Sequence, residues 1–406
     1  MYKITDLKAR YIYDSRGIPT VETEILLNNN AFANFSVASG ASKGSREALE
    51  LRDNKKDFNG QGVSKAISNI LTIIKPQIID KVFNTQEELD VALIKLDGTK
   101  NKSNLGANAI LAVSGAFFKA SYKFFETIEF SLPLPLINII NGGKHANNEL
   151  DIQEFMISPI GASSFSQGLQ WSCEIFHTLK DILRKKGFST AVGDEGGFAP
   201  ALRTDEEALE LLSLAVEKAG FKIGKEIGLA LDVAAGELYN ITTQTYCLNN
   251  KNLTSDLLLE HYKKLVLNFN IFSIEDPFFE DDYPAFAKIT QDLGKTIQIV
   301  GDDLFVTQCQ YIEHGIQNNL ANALLVKMNQ VGTISETFEA INLARRAGWK
   351  IIVSHRSGET EETFLADLAV LSKADQIKAG SMSRSERLAK YNRLLRIEEF
   401  KGLKNG

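Results

Sequence analysis

The sequence predicts an α/β protein, a C-terminal β/α barrel with an N-terminal α+β capping domain in front of it. Three observations predict it. The chain has 406 residues, too many for one ordinary compact domain. Its first third reads as strands followed by helices. Beyond that, short apolar runs recur at nearly even spacing, with helical stretches between them.

Residues 19–37 alternate, Val21, Thr23 and Ile25 against Glu22 and Glu24, as half-buried strands require. Val63, Ala66, Ile67, Ile70, Leu71 and Ile74 then keep helical spacing. Thr85 with Glu88 forms a capping box, and 104–125 predicts a further helix with a face of small residues. This α+β domain is expected to occupy residues 1–126, and the barrel domain 132–406, opening at Leu132-Pro133-Leu134-Pro135. In the second part six apolar runs end on a polar side chain: Asp232, Glu275, Asp302, Lys327, His355 and Lys378. After one wide gap these ends recur every 23 to 28 residues, the length of one strand-loop-helix-loop unit. Barrels of this kind build their active sites at the C-terminal ends of the strands, so these side chains are predicted to meet in one site.

Composition narrows the function. Apolar residues at 44% and charged residues at 24% fit a soluble globular chain with a sizeable core. A formal net charge of -6 gives no general attraction to nucleic acid or anionic membrane, so an anionic ligand needs a local cluster of Lys and Arg. Cys173, Cys247 and Cys309 are few, far apart and odd in number, which excludes a disulfide framework and fits a reducing cytosol; all three are expected to be structural. No signal-peptide core opens the chain and no apolar run is long enough to span a bilayer, so a cytoplasmic location is expected.

Asp232, Glu275 and Asp302 end successive runs, and three hard oxygen donors favour Mg2+ or Mn2+ over zinc. Lys327, Lys378 and Arg356 add the positive field that a phosphorylated carboxylate substrate needs. A lysine near a divalent cation and a second lysine is expected to lose its proton more readily, as a general base must. Glycine flanks polar residues in Asn141-Gly142-Gly143-Lys144-His145-Ala146, Gly193-Asp194-Glu195-Gly196-Gly197-Phe198 and Ser39-Gly40-Ala41-Ser42-Lys43-Gly44, which suits loops that approach a ligand closely.

These segments resemble the enolase family, nearly end to end. Asp14-Ser15-Arg16-Gly17, Ser39-Gly40-Ala41-Ser42, Leu105-Gly106-Ala107-Asn108-Ala109, Gln153-Glu154-Phe155-Met156, Gly193-Asp194-Glu195-Gly196-Gly197, Ser273-Ile274-Glu275-Asp276, Gly301-Asp302-Asp303-Leu304, Asn329-Gln330-Val331-Gly332 and Ser354-His355-Arg356-Ser357-Gly358-Glu359-Thr360 stand in that family's order. The resemblance implies reversible dehydration of 2-phospho-D-glycerate to phosphoenolpyruvate, two Mg2+ per active site, and a homodimer or higher homo-oligomer. It implies Asp232, Glu275 and Asp302 as ligands of one Mg2+ and Ser39 as a lid residue near the second. By it Lys327 is the base at C2, Glu195 the acid at the C3 hydroxyl with Glu154 beside it, and His355 a further catalytic group. His145, Gln153, Arg356, Ser357 and Lys378 match substrate contacts, Arg356 on the phosphate and Lys378 on the carboxylate.

The chain departs from the family at Ile18, Lys43, Gly236 and Gln308, where Asn, Thr, Ser and Asn are usual. Lys43 adds a charge to the expected lid. Two rival readings remain open here: another enzyme of the superfamily, such as a racemase, and a surface-displayed binding protein of the plasminogen or adhesin type on the same fold. The racemases carry a Lys-x-Lys pair where this chain has Gln153-Glu154.

Overall fold

The computed structural model describes residues 1–41, 44, 46–122 and 131–404. The expected domain change near residue 126 and the charge at Lys43 lie outside the described residues.

Four strands open the chain: β1 (Tyr2–Tyr13), β2 (Pro19–Leu27), β3 (Phe32–Ser36) and β4 (Val82–Phe83). They pair antiparallel in the order β3-β2-β1-β4. Val21, Thr23, Ile25 and Leu27 of β2 point into the core with the expected alternation. β1 is an addition to the expectation from sequence. Most of its residues are half exposed or exposed, so its period-two signal is weak. The helical pattern starting at Val63 becomes two α-helical pieces, Ser64–Asn69 and Lys75–Ile78, joined by a π-turn at Ile70–Ile74. Thr85 caps the helix Gln86–Asp97, its hydroxyl accepting from the Glu88 amide at 3.2 Å while the Glu88 carboxylate accepts from the Asn84 amide at 2.7 Å. The helix expected over 104–125 spans Ala107–Ser121 and lies buried across β2 and β3.

The second part is a closed barrel. Its first strands are β5 (Leu134–Asn141), β6 (Glu154–Ser158) and β7 (Gly228–Asp232). A small antiparallel sheet of β8 (Tyr239–Asn240), β9 (Thr245–Leu248) and β10 (Lys251–Leu253) follows and accounts for the wide gap in the strand spacing. Then come β11 (Ile271–Glu275), β12 (Gln298–Gly301), β13 (Ala323–Val326), β14 (Lys350–Ser354) and β15 (Gln376–Lys378). The barrel order is β11-β12-β13-β14-β15-β5-β6-β7. All six predicted run ends are the last residue of a strand or the residue just after one.

β6 runs antiparallel to both neighbours, while the other barrel neighbours pair parallel. Its N-terminal residue Glu154 therefore faces the mouth where the other strands present their C-terminal ends. Leu136, Met156, Ala230, Val300, Leu325 and Ile352 plug the interior beneath that mouth. Below them Gln298 and Gln376, the first residues of β12 and β15, exchange amide hydrogen bonds of 3.0 and 3.1 Å. Among the described residues no helix is long and apolar enough to cross a membrane. The cysteines are free, and Cys247 is exposed on β9 rather than part of the core, a correction to its structural reading.

The two parts are pinned together close to the barrel mouth. Ser39 and Gly358 exchange backbone hydrogen bonds of 2.8 Å in both directions. The Asp90 carboxylate accepts from the Ser335 amide at 2.9 Å, at the start of the barrel helix Ile334–Arg346. Phe35 meets the barrel residue Phe364 edge-on at 5.6 Å. Gly115 makes room for Phe35, because a Cβ there would lie 2.5 Å from its ring. An alanine at a mid-helix glycine ordinarily stabilises by up to about 1 kcal/mol. Here the ring is fully packed and the overlap decides the sign: Gly115→Ala should destabilise by about 1–3 kcal/mol. Thermal unfolding checks this, and a raised Tm would refute the packing argument.

Candidate active site

The barrel register sets the site. Asp232 pairs with Glu275 across β7 and β11, and with Glu154 across β6. Asp302 follows β12, Lys327 follows β13, His355 follows β14, and Lys378 ends β15. Residues distant in sequence thus become neighbours because each ends a strand on the same rim.

Burial makes their charges interdependent. Lys378 is 3% exposed, and its Nζ lies 2.8 Å from Asp232 Oδ2, 2.9 Å from Glu275 Oε2 and 3.4 Å from Glu154 Oε2. Burial disfavours its ammonium, but Asp232, Glu154 and Glu275 outweigh that and hold it well above the ordinary lysine range. Lys327 pairs with Asp302. Burial opposes its charge too, yet Asp302 raises its pKa. Among the protein groups alone Asp302 thus holds the Lys327 proton; the fall expected from sequence is for a lysine beside a divalent cation.

The carboxylates suit a hard divalent cation. Burial drives the Glu275 carboxyl well above its ordinary range, Asp232 and Asp302 add to the effect, and Lys378 only partly offsets it. The site thus holds more negative charge than its lysines neutralise, on oxygen donors alone. Among the described residues, donor atoms within 4.8 Å of one another form two groups: Asp276, Asp302 and Asp303, and His145, Glu154 and Glu195. The predicted trio is instead spread around the two ammonium groups. Asp276 spends both oxygens on the Asp302 and Asp303 amides, at 2.9 and 2.8 Å, and so braces that loop. Gln330 donates to Asp302 Oδ1 at 2.9 Å.

On the other side His145 Nδ1 lies 3.4 Å from Glu154 Oε1 and 3.6 Å from Glu195 Oε2, and His355 Nε2 lies 3.4 Å from Glu195 Oε2. Asn138 donates to Glu195 at 3.1 Å. Burial opposes the charged His145 ring, but Glu195 and Glu154 raise it to about 9. Burial and Glu195 push Glu154 up to about 7 against the pull of Lys378. Burial would raise Glu195 as well, yet His145, His355 and Arg387 hold it well below the usual carboxylate range. The two acids titrate as one buried pair in which Glu195 is the more readily ionised and Glu154 the more readily protonated.

Arg356 donates to Glu47 at 3.0 Å and to Asn329 at 3.1 Å. Ser357 Oγ accepts from the Ala41 amide at 2.6 Å, and Gln153 donates to Asp232 at 3.3 Å. Ser39 is buried, but its hydroxyl accepts from Arg52 at 2.9 Å, so it is engaged inside the N-terminal part rather than with the carboxylates. Three of the family departures are also placed. Ile18 acts here through its backbone, whose amide donates to Asp14 at 3.0 Å, Gly236 sits near Glu280, and Gln308 donates to the Arg46 carbonyl at 2.6 Å.

The sequence reading missed Glu47, Gln330, Asn138 and Arg387 as site residues. Gln330 lies inside Asn329-Gln330-Val331-Gly332, a motif that could have flagged it. Arg387 lies in an ordinary charged helix and gives no local signal.

Two family models match the chain. One described as "Enolase, N-terminal domain" covers residues 4–129, and one described as "Enolase, C-terminal TIM barrel domain" covers residues 129–405. The chain is similar to the protein named "Enolase" of Ehrlichia canis (strain Jake), at 51% identity over 406 residues, covering 98% of this chain and 96% of that relative.

A pH dependence follows from His355. Burial, with Arg387 against the ring, lowers it from 6.5 to about 4 even though Glu195 pulls the other way. A folded pKa below the unfolded one means the neutral ring stabilises the fold above pH 6.5, and that contribution disappears as pH falls through 4. It is on the order of 3 kcal/mol. The stability difference between the native protein and His355→Gln, measured by urea unfolding, should shrink across that window. A difference that stays constant with pH would contradict the buried neutral histidine.

Proposed function

The chain belongs to the enolase family, and on that premise we propose the residue roles of its active site, its metal, its assembly and its location. The protein is a phosphopyruvate hydratase, the glycolytic lyase that interconverts 2-phospho-D-glycerate and phosphoenolpyruvate, and it uses a divalent metal. Asp232, Glu275 and Asp302 would hold one Mg2+, and Ser39 would stand near a second. When bound, the metal supplies positive charge to the substrate carboxylate as its C2 proton leaves.

Lys378 lies on the carboxylate side and Arg356 receives the phosphate, with His145, Gln153 and Ser357 completing the substrate contacts. Lys327 takes the proton from C2. It can do so only after giving up its own, so its pairing with Asp302 must loosen in the working state. Glu195, with Glu154 beside it and His355 aligning it, delivers a proton to the C3 hydroxyl. Because His145, His355 and Arg387 favour its ionised form, it must first take that proton up within the pair it forms with Glu154. The C3–O bond then breaks, water leaves, and the electron pair from C2 forms the double bond. The observation that carries these roles is that Lys327, Glu154, Glu195, Arg356 and Lys378 border one cavity. A base and an acid pair thus share a space bounded by fixed positive charge.

We place the domain change between residues 126 and 132, the assembly as a homodimer or higher homo-oligomer, and the protein in the cytoplasm. These follow from the family and from the expectation of a reducing compartment.

Two variants separate the roles. Lys327→Ala should lose at least about 10^3-fold in kcat while calorimetry shows Mg2+ binding retained. Near-normal turnover would remove the base assignment. Glu195→Gln should still exchange the C2 proton of 2-phosphoglycerate with deuterium in the solvent, followed by NMR, while forming phosphoenolpyruvate about 10^2–10^4-fold more slowly. If exchange and dehydration vanish together, acid and base are not separate groups.

A further inference from the structure

We propose that Arg387 is a positioning residue that fixes His355 in the tautomer carrying its proton on Nε2, and thereby makes the ring nitrogen that faces Glu195 a donor. Arg387 lies on the last helix, Ser385–Lys404, and is fully buried. Its Nη1 lies 2.5 Å from His355 Nδ1 and donates to the Arg356 carbonyl at 2.6 Å. Its Nη2 donates to the Ser357 carbonyl at 2.5 Å and the Asp194 carbonyl at 3.1 Å. One side chain thus ties the loop after β14 to the loop that carries Glu195.

A guanidinium has donors and no acceptor, so the His355 nitrogen facing it must offer a lone pair. A neutral imidazole with an accepting Nδ1 carries its hydrogen on Nε2. That nitrogen is the one 3.4 Å from Glu195 Oε2. The ring therefore presents a donor to Glu195. The charged groups around the ring are Glu195, Arg387 and Glu359, and Glu359 is itself paired with buried Lys390 at 2.8 Å. A doubly protonated ring would set an N–H against the guanidinium.

The surrounding packing is built to this arginine. Gly380 adopts φ +86, and a Cβ there would lie 2.7 Å from Arg387 Cδ. On the same helix face Lys390 donates to the Thr360 carbonyl and Tyr391 to the Gly380 carbonyl, each at 2.8 Å. Helix spacing at i, i+3 and i+4 places all three on one stripe.

The consequence for turnover rests on the enolase reading, whereas the tautomer belongs to the free protein and is measured without substrate. The test is 15N NMR of histidine-labelled protein between about pH 6 and 8, the range in which a neutral imidazole tautomer is resolved. The chain has five histidines, and the His355 signal is the one missing in His355→Gln. His355 should show a protonated Nε2 and an unprotonated Nδ1. In Arg387→Met the two tautomers should mix and kcat should fall about 10–100-fold with KM changed less than about two-fold, and Arg387→Lys should recover much of that loss by restoring a donor. A native His355 protonated on Nδ1, or an Arg387→Met protein with unchanged tautomer and kcat, would overturn the proposal. Should Arg387→Met fail to fold, the native tautomer alone decides. Absence of turnover in native protein with the expected tautomer would strike the active-site reading and leave the Arg387 role standing.

Discussion

The balance of buried charge at the barrel mouth is the constraint on which the rest depends. An isolated ion in a low-dielectric interior is too costly to keep, so each carboxylate here needs a cation or a hydrogen-bond donor beside it. Asp232, Glu275 and Glu154 meet Lys378, Asp302 meets Lys327, and Glu195 lies among His145, His355 and the field of Arg387. Removing one partner strands the other, so the site behaves as one unit rather than a set of pairs. The remaining excess of negative charge explains why a divalent cation belongs there.

That balance is supported from outside the barrel as well. Glu47 and Ser39 come from the N-terminal part, the first on Arg356 and the second bridged to Gly358. Asp90 accepts at the start of the helix that follows Gln330, and the Gln330 carbonyl accepts from the Ala48 amide at 2.9 Å. Docking of the two parts and the geometry around Lys327 are therefore coupled through hydrogen bonds, and a change at either reaches the other.

How legible this was differs by residue. The ends of β7, β11, β12, β13, β14 and β15 could be read because apolar runs bounded by a polar residue mark buried parallel strands. β5 and β6 could not. Their chemistry sits among glycine-flanked loops, and nothing local says that β6 runs backwards. Glu154 was found through its motif, but its place beside Asp232 follows only from that reversal. Arg387 was invisible because a buried arginine on a helix and a solvated one have the same sequence pattern. Lys327 was legible as a residue type at a strand end, but its pairing with Asp302 could not be inferred from spacing.

By itself the sequence determined the residue types, the strand rhythm and the order of the family's motifs, because periodicity and short-range chemistry are written along the chain. The direction of β6, the capture of the carboxylates by Lys378 and Lys327, the opposite shifts of Glu154 and Glu195, and the hold of Arg387 on His355 were decided only by tertiary structure. Each depends on distances of a few ångströms between residues tens to hundreds of positions apart, and at such separations burial and Coulomb energy, rather than local propensity, set the outcome.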